Sequence, residues 1–206
     1  MNSRDAERLR SGMRAELVTP GDWVELDVDP ATRHRSIRKA FRRGVARNPA
    51  IERDAVRVIG LLDRTSQMAS ENGAFYCASM IMNEPPHGLV LASMLIQRCF
   101  GDPVPPGASA RDVCAGLAAS ISVDPDWAGA DVGVVTLQRL GPAVRTCLID
   151  AGAVVQYIAP LMVSPAQIVM TFTCPCPPYV ATAIELFDAM ASSLVLTLTT
   201  DGTRAG

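Results

Sequence analysis

The stretch that decides the fold is VGVVTLQR (132–139), AVRTCLI (143–149), VVQYI (154–158) and IVMTFT (168–173), followed by PPYVATAIELFDAMASSLVL (177–196). Four short runs rich in β-branched residues follow one another, and Gly141-Pro142 and Gly152 punctuate the first two connections. Runs separated only by turns pair as antiparallel neighbours, so they read as a meander. Ala159 to Ala166 holds two prolines and is expected to be a longer loop. Pro177-Pro178 then opens an apolar helix, expected to end near Leu196, in which Glu185 and Asp188 are the only charges. Val180, Ile184, Phe187, Ala191 and Leu194 share one stripe of that helix, and Ala183, Leu186 and Met190 widen it, so most of it must be buried. A meander closed by a helix lying on the sheet belongs to the α+β class.

Working towards the N-terminus, Ser109 caps a short predicted helix from Ala110 to Ser120, ahead of a loop containing Pro125. Gly101 to Gly107 holds three prolines and reads as a surface loop. Phe75 to Met82 and Leu89 to Ile96 are apolar on both faces and are joined by the turn formers of residues 83–88, which predicts a hairpin covered on both sides. Two helices precede it. Asp29-Pro30 predicts a start, with Asp29 as N-cap, for a helix from Ala31 to Arg47 with Ile37, Phe41 and Val45 inward. Asn48-Pro49 opens a second helix to about Glu71, with Ile51, Ala55, Val58, Ile59 and Leu62 as its stripe and Asn72-Gly73 as its stop. Trp23 to Val28 alternates apolar and acidic residues as an edge strand does. The expected fold is one antiparallel sheet of about six or seven strands, with an N-terminal helical pair, a middle helix and a C-terminal helix packed on it. Residues 1–20 are expected to be a flexible or partly helical arm, 21–200 a single domain and 201–206 a disordered tail.

At 206 residues and 49% hydrophobic content the chain can build a substantial core. Its net charge of −2 supplies no global field to draw it onto nucleic acid or an anionic membrane. The first sixteen residues are dense in charge and lack the apolar core of a secretory signal, and the apolar stretches near 89–96 and 179–196 are too short or too interrupted to span a bilayer. A cytoplasmic location is the expectation. Six cysteines scattered through apolar runs suit reduced, buried thiols better than a disulfide framework.

Gly21-Asp22-Trp23-Val24 near the first strand, the late meander and the terminal helix around Ile184 to Met190 resemble the PsbP-like family, which includes actinobacterial LpqN-type proteins; the similar pieces are 21–24 and 168–190. The resemblance implies a binding scaffold without a shared catalytic motif and supplies no site residues. Two features depart from it: the basic helical pair, and a start that lacks the lipoprotein signal of LpqN-type proteins. An Ala- and Arg-rich, Lys-poor composition resembles that of high-GC actinobacterial proteins, a setting that suits an accessory or chaperone-like factor of a secretion or envelope system.

Local chemistry is sparse. Cys174-Pro175-Cys176 offers two sulfur ligands where a structural metal needs four, with only His34 and His87 as imidazoles, so neither a metal nor a cofactor is expected. A helix start follows these cysteines, which leaves a reactive thiol open beside the plain strand-to-helix turn. His87 lies in the hairpin connection without a nucleophile and orienting acid at a recommending distance in sequence, and the pairs Asp27/Asp29 and Asp124/Asp126 flank prolines as turn and cap residues do. No catalytic residue is assigned.

The first helix carries the most physical content. Arg33, Arg35, Arg38, Lys39, Arg42, Arg43 and Arg47 bring seven cations to Ala31–Arg47 without an acid, and a net charge of −2 with +7 here leaves −9 elsewhere. Arg38 with Arg42 and Lys39 with Arg43 are like charges at i,i+4, each costing about 0.2–0.5 kcal/mol in an isolated helix. Three readings stay open: pairing with the chain's own Asp22, Glu25, Asp27, Asp29, Glu52 or Asp54 or plain solvation, an acidic protein partner, and nucleic acid or membrane. Nucleic acid is disfavoured because only Phe41 interleaves, and it lies on the apolar stripe. The functional expectation is a non-catalytic interaction or accessory module that meets an acidic partner surface through Arg35, Arg38, Lys39, Arg42 and Arg43. The alternative is a small-molecule-binding or hydrolytic domain with a pocket between the sheet and the Ala110–Ser120 helix.

Overall fold

The computed structural model describes residues 13–84, 88–102, 104–162 and 165–198. The elements are β1 (Met13–Glu16), β2 (Trp23–Leu26), α1 (Arg33–Arg47), α2 (Ala55–Glu71), β3 (Ala74–Glu84), β4 (Gly88–Phe100), α3 (Ala110–Ser122), β5 (Asp131–Leu137), β6 (Gly141–Ile149), β7 (Ala153–Leu161), β8 (Ala166–Cys174), α4 (Val180–Ser193) and β9 (Val195–Leu198). Seven strands form one antiparallel sheet in the order β2-β3-β4-β8-β7-β6-β5, and β1 pairs with β9 as a separate ribbon. The meander therefore joins the β3–β4 hairpin through its last strand, β8.

Strand alternation sends successive side chains to opposite faces, and the core divides accordingly. Cys77 of β3 and Val24 and Leu26 of β2 meet Ile37 and Ala40 of α1 and Val58, Leu62 and Ala69 of α2. Val144, Ile158 and Val169 meet Cys114 of α3 on the same face, further along the sheet. The other face carries Ala78, Met94, Ile96, Val155, Tyr157, Met170 and Phe172, covered by Phe187, Met190 and Ala191 of α4. Three helices on one side and one on the other match strands that are apolar on both faces.

Differences from the sequence expectation lie mostly at element ends. Thr32, not Asp29, occupies the N-cap of α1; Asp29 instead turns the chain, its Oδ1 accepting from the Ala31 N–H at 2.9 Å. The second helix opens as a 3₁₀ segment, Pro49–Asp54, whose entry Asn48 secures by accepting from the Ala50 N–H at 3.1 Å, and Ile59 on its expected stripe is solvent-exposed. The expected loop 159–166 shortens because β7 and β8 run on to pair Leu161 with Ala166. Pro160 is tolerated there because β6 stops pairing at Ile158, which leaves an edge position. The helix that was expected to reach Leu196 ends at Ser193, and residues 195–198 are β9. Its partner β1 lies inside the expected arm; residues 1–12 and the tail 201–206 lie outside the described residues. Ser109 caps α3 as expected, in a full capping box with Asp112.

Candidate functional site

Helix α1 stands on an amphipathic pattern: Ile37 and Ala40 are buried against β2 and the 3₁₀ segment, while Phe41 and Val45 are partly buried. Its two terminal cations are held by this chain, Arg33 against Asp63 of α2 and Arg47 against Asp22, each at 3.7 Å. The five between them are not. Arg35, Arg38, Lys39, Arg42 and Arg43 are exposed, and among the described residues no carboxylate lies within 4.0 Å of them. Of the acids close to the helix in sequence, Asp27 is occupied by Thr32 Oγ1 and the Asp29 N–H, and Asp22 alone of that group reaches a cation of α1.

The cations form two rows at four-residue spacing. His34, Arg38, Arg42 and Ala46 face solvent, whereas Arg35, Lys39 and Arg43 border a cleft of about 490 Å³ between α1 and β2 that Phe75 and Tyr76 also line. Helix and strand run antiparallel, side by side: Ser36 Oγ accepts from the Asp27 N–H at 2.8 Å at one end, and Asp22 meets Arg47 at the other. Burial, and then the charge of Glu25 and Cys77, pushes the Tyr76 phenol up to about 12, so it stays neutral at the mouth of this cleft.

The other sequence candidates are not brought together. Cys174 and Cys176 are both buried in the turn between β8 and α4, Cys174 Sγ lying 3.8 Å from the Cys176 carbonyl, and burial raises the Cys174 thiol above its ordinary value. A thiol held in its protonated form is a poor nucleophile, which favours the plain-turn reading. His34 is exposed on α1, and His87 lies outside the described residues. Asp124 accepts from the Asp126 N–H at 2.9 Å as a turn residue does. Among the described residues no three His, Cys, Asp or Glu side chains gather as a metal site would require. A cavity of about 380 Å³ does lie between α3, the 101–108 connection and the ends of β7 and β8, lined mainly by Val104, Pro105, Val113, Leu117 and Ala166. Asp112 on its wall is engaged by the Ser109 hydroxyl and N–H.

One cluster escaped sequence reading. Arg145 of β6 donates from Nε to Asp188 Oδ1 of α4 at 2.9 Å, the Tyr157 hydroxyl donates to the same carboxylate, and Asp131 stands 3.6 Å from the Arg145 guanidinium. Burial and the bond to Asp188 raise the Tyr157 phenol well above its usual range. The signal was there: a lone cation inside the apolar run 143–149 and one of two charges on an otherwise apolar helix. The cluster ties α4 to the sheet, since every charge in it already has a partner.

No protein-family model matches the chain, and no curated protein does. Among solved structures, the crystal structure of LpqN, involved in cell envelope biogenesis of Mycobacterium tuberculosis, aligns over 91% of this chain and 86% of that one, at 11% identity and a TM-score of 0.42. That is a distant resemblance, too low to assign a family or a role.

Proposed function

We propose that the chain is a non-catalytic interaction module whose α1 docks onto an acidic protein surface through Arg35, Arg38, Lys39, Arg42 and Arg43. The observation that carries this reading is the contrast along one helix: the end cations Arg33 and Arg47 are paired within the chain, and the five central ones are left facing solvent. On a protein of net charge −2, such a stripe accelerates capture of an acidic partner and loses that advantage as salt screens it over a Debye length of about 8 Å. The proposal includes an accessory role beside a secretion or envelope system, resting on the sequence resemblance alone. It also includes a cytoplasmic location, which six free thiols suit.

The test compares wild type with Arg38→Glu/Arg42→Glu/Arg43→Glu as bait, with in-cell cross-linking and identification of what is captured. The proposal expects specific acidic partners retained by wild type at low salt, released by added salt and absent from the triple variant. A folded triple variant that keeps every partner would overturn it.

A further inference from the structure

The cleft beside α1 has a second wall whose chemistry narrows the kind of partner. Strand β2 is one of the two edge strands of the main sheet, and four residues long against eleven for β3. The Trp23 N–H turns away from β3 to reach the Pro20 carbonyl at 3.0 Å, and the Asp27 N–H turns away to Ser36 Oγ at 2.8 Å. Backbone direction alternates along an antiparallel strand, so the N–H and C=O of Glu25, midway between them, also point off the sheet edge into the cleft. Trp23 and Asp27 have their outward N–H groups capped by this chain. Among the described residues nothing bonds the outward N–H of Glu25.

The spacing of the cations fits the same geometry. Residues four apart on a helix rise about 6 Å along its axis, and residues two apart on a strand advance about 6.6 Å. Arg35, Lys39 and Arg43 therefore stand opposite every second residue of a strand laid beside β2, provided helix and strand run alongside one another. They do, because Asp27 meets Ser36 at one end and Asp22 meets Arg47 at the other. Glu25 and Asp27 also line the cleft, but neither carboxylate comes within 4.0 Å of Arg35, Lys39 or Arg43: Val24 and Leu26 point towards α1, so the Glu25 side chain alternates away from the helix.

We infer that this cleft accepts an extended segment of the partner, with acidic residues at alternate positions, as a strand added to β2 at Glu25, its carboxylates meeting Arg35, Lys39 and Arg43. The inference rests on the reading of α1 as a site for an acidic protein and specifies the conformation that is recognised. Backbone hydrogen bonds at an exposed sheet edge and side-chain selection by alternate residues are the two components of recognition by strand addition.

The test uses the full chain and four blocked eight-residue peptides followed by fluorescence anisotropy: one alternating glutamate and threonine, its isomer with the four glutamates contiguous, and two alternating versions N-methylated on the glutamates or on the threonines. The alternating peptide should bind at least tenfold tighter than its isomer, and Arg35→Glu/Lys39→Glu/Arg43→Glu should abolish that binding. An added strand turns only one set of its N–H groups towards β2, so one N-methylated version should lose at least tenfold and the other should not. Equal binding of both isomers, or an equal response to both methylation patterns, would overturn strand addition while leaving a purely electrostatic site for an acidic partner intact. Undiminished binding to the triple variant, or no binding of the alternating peptide at all, would overturn it too; the partner reading itself would then be judged by the cross-linking comparison.

Discussion

Replacing Phe187 by alanine tests how α4 is held on the sheet. Phe187 is fully buried, its ring stacked on Phe172 at a centroid distance of 4.9 Å with an interplanar angle of 26°, and Trp23 meets it edge-on at 6.4 Å. Truncation removes a transfer contribution of about 1.5–3 kcal/mol for a fully buried side chain. The two ring contacts add about 0.5–1.5 kcal/mol each. Phe→Ala in a core costs roughly 3–5 kcal/mol overall, and this site belongs near the upper end because a sheet and a helix on either side cannot easily collapse into the cavity. For a chain of this size each kcal/mol shifts the melting midpoint by about 2–4 °C, so a cost of about 4–5 kcal/mol gives a fall of roughly 8–20 °C. Urea unfolding followed by circular dichroism, and separately by tryptophan fluorescence, to which Trp23 beside the lost ring and Trp127 contribute, gives the free energy. Phe187→Leu, which keeps most of the volume, should lose less than half as much. A loss below about 1 kcal/mol for Phe187→Ala would refute the proposed packing of α4.

Further outcomes follow from the same structure. Tyr76, Tyr157 and Cys77 all have raised pKa values in the folded chain, so each binds its proton more tightly folded than unfolded; stability should be flat to about pH 8, then fall as pH rises past the ordinary thiol value of 9.0 and the phenol value of 10.0, and Tyr157→Phe should make the fall above pH 10 shallower. A slope that is unchanged in Tyr157→Phe would contradict the burial of that hydroxyl and its bond to Asp188. Burial that pushes the Cys77 thiol up to about 12 should keep it from reacting with iodoacetamide until the chain unfolds, and elemental analysis of protein purified under reducing conditions should find no stoichiometric zinc; one zinc per chain, lost in Cys174→Ser, would reverse that conclusion. A Cβ at Gly152 would lie 2.5 Å from the Cys174 carbonyl oxygen, so Gly152→Ala should destabilise the β6–β7 connection measurably in the same urea assay, whereas a neutral result would mean the turn is not packed as described.

Much of this architecture was legible because its signals are local. The β-branched runs of β5 to β8, the Asn48-Pro49 and Ser109 helix starts and the Asn72-Gly73 stop each lie within a few residues. The ribbon was not legible. Met13–Glu16 is four residues of mixed charge in a basic N-terminal stretch, and Val195–Leu198 continues an apolar stripe past Ser192-Ser193 without a glycine or proline to end the helix. Only their mutual pairing makes either a strand, and it joins residues nearly a whole chain apart. The same holds for the placement of β4 beside β8. The cationic stretch of α1 stood out from composition and spacing alone, yet which of its cations are paired depended on Asp63 of α2 and Asp22. Asp63 was not among the acids that proximity in sequence suggested, because α2 returns alongside α1 and brings it within reach of Arg33.

The claim on which the functional account stands is that the central cations of α1 are not consumed within the fold. The most direct measurement is the unfolding free energy of Arg38→Glu/Arg42→Glu/Arg43→Glu beside wild type at low ionic strength. With no carboxylate among the described residues within 4.0 Å of these three side chains, the variant should be as stable as wild type to within about 1 kcal/mol, since positions 38 and 42 stay like-charged and positions 39 and 43 become an opposite pair, a change worth only a few tenths. A loss of several kcal/mol, or failure to fold, would show that these arginines neutralise the chain's own acids and would remove the basis for a docking site on α1.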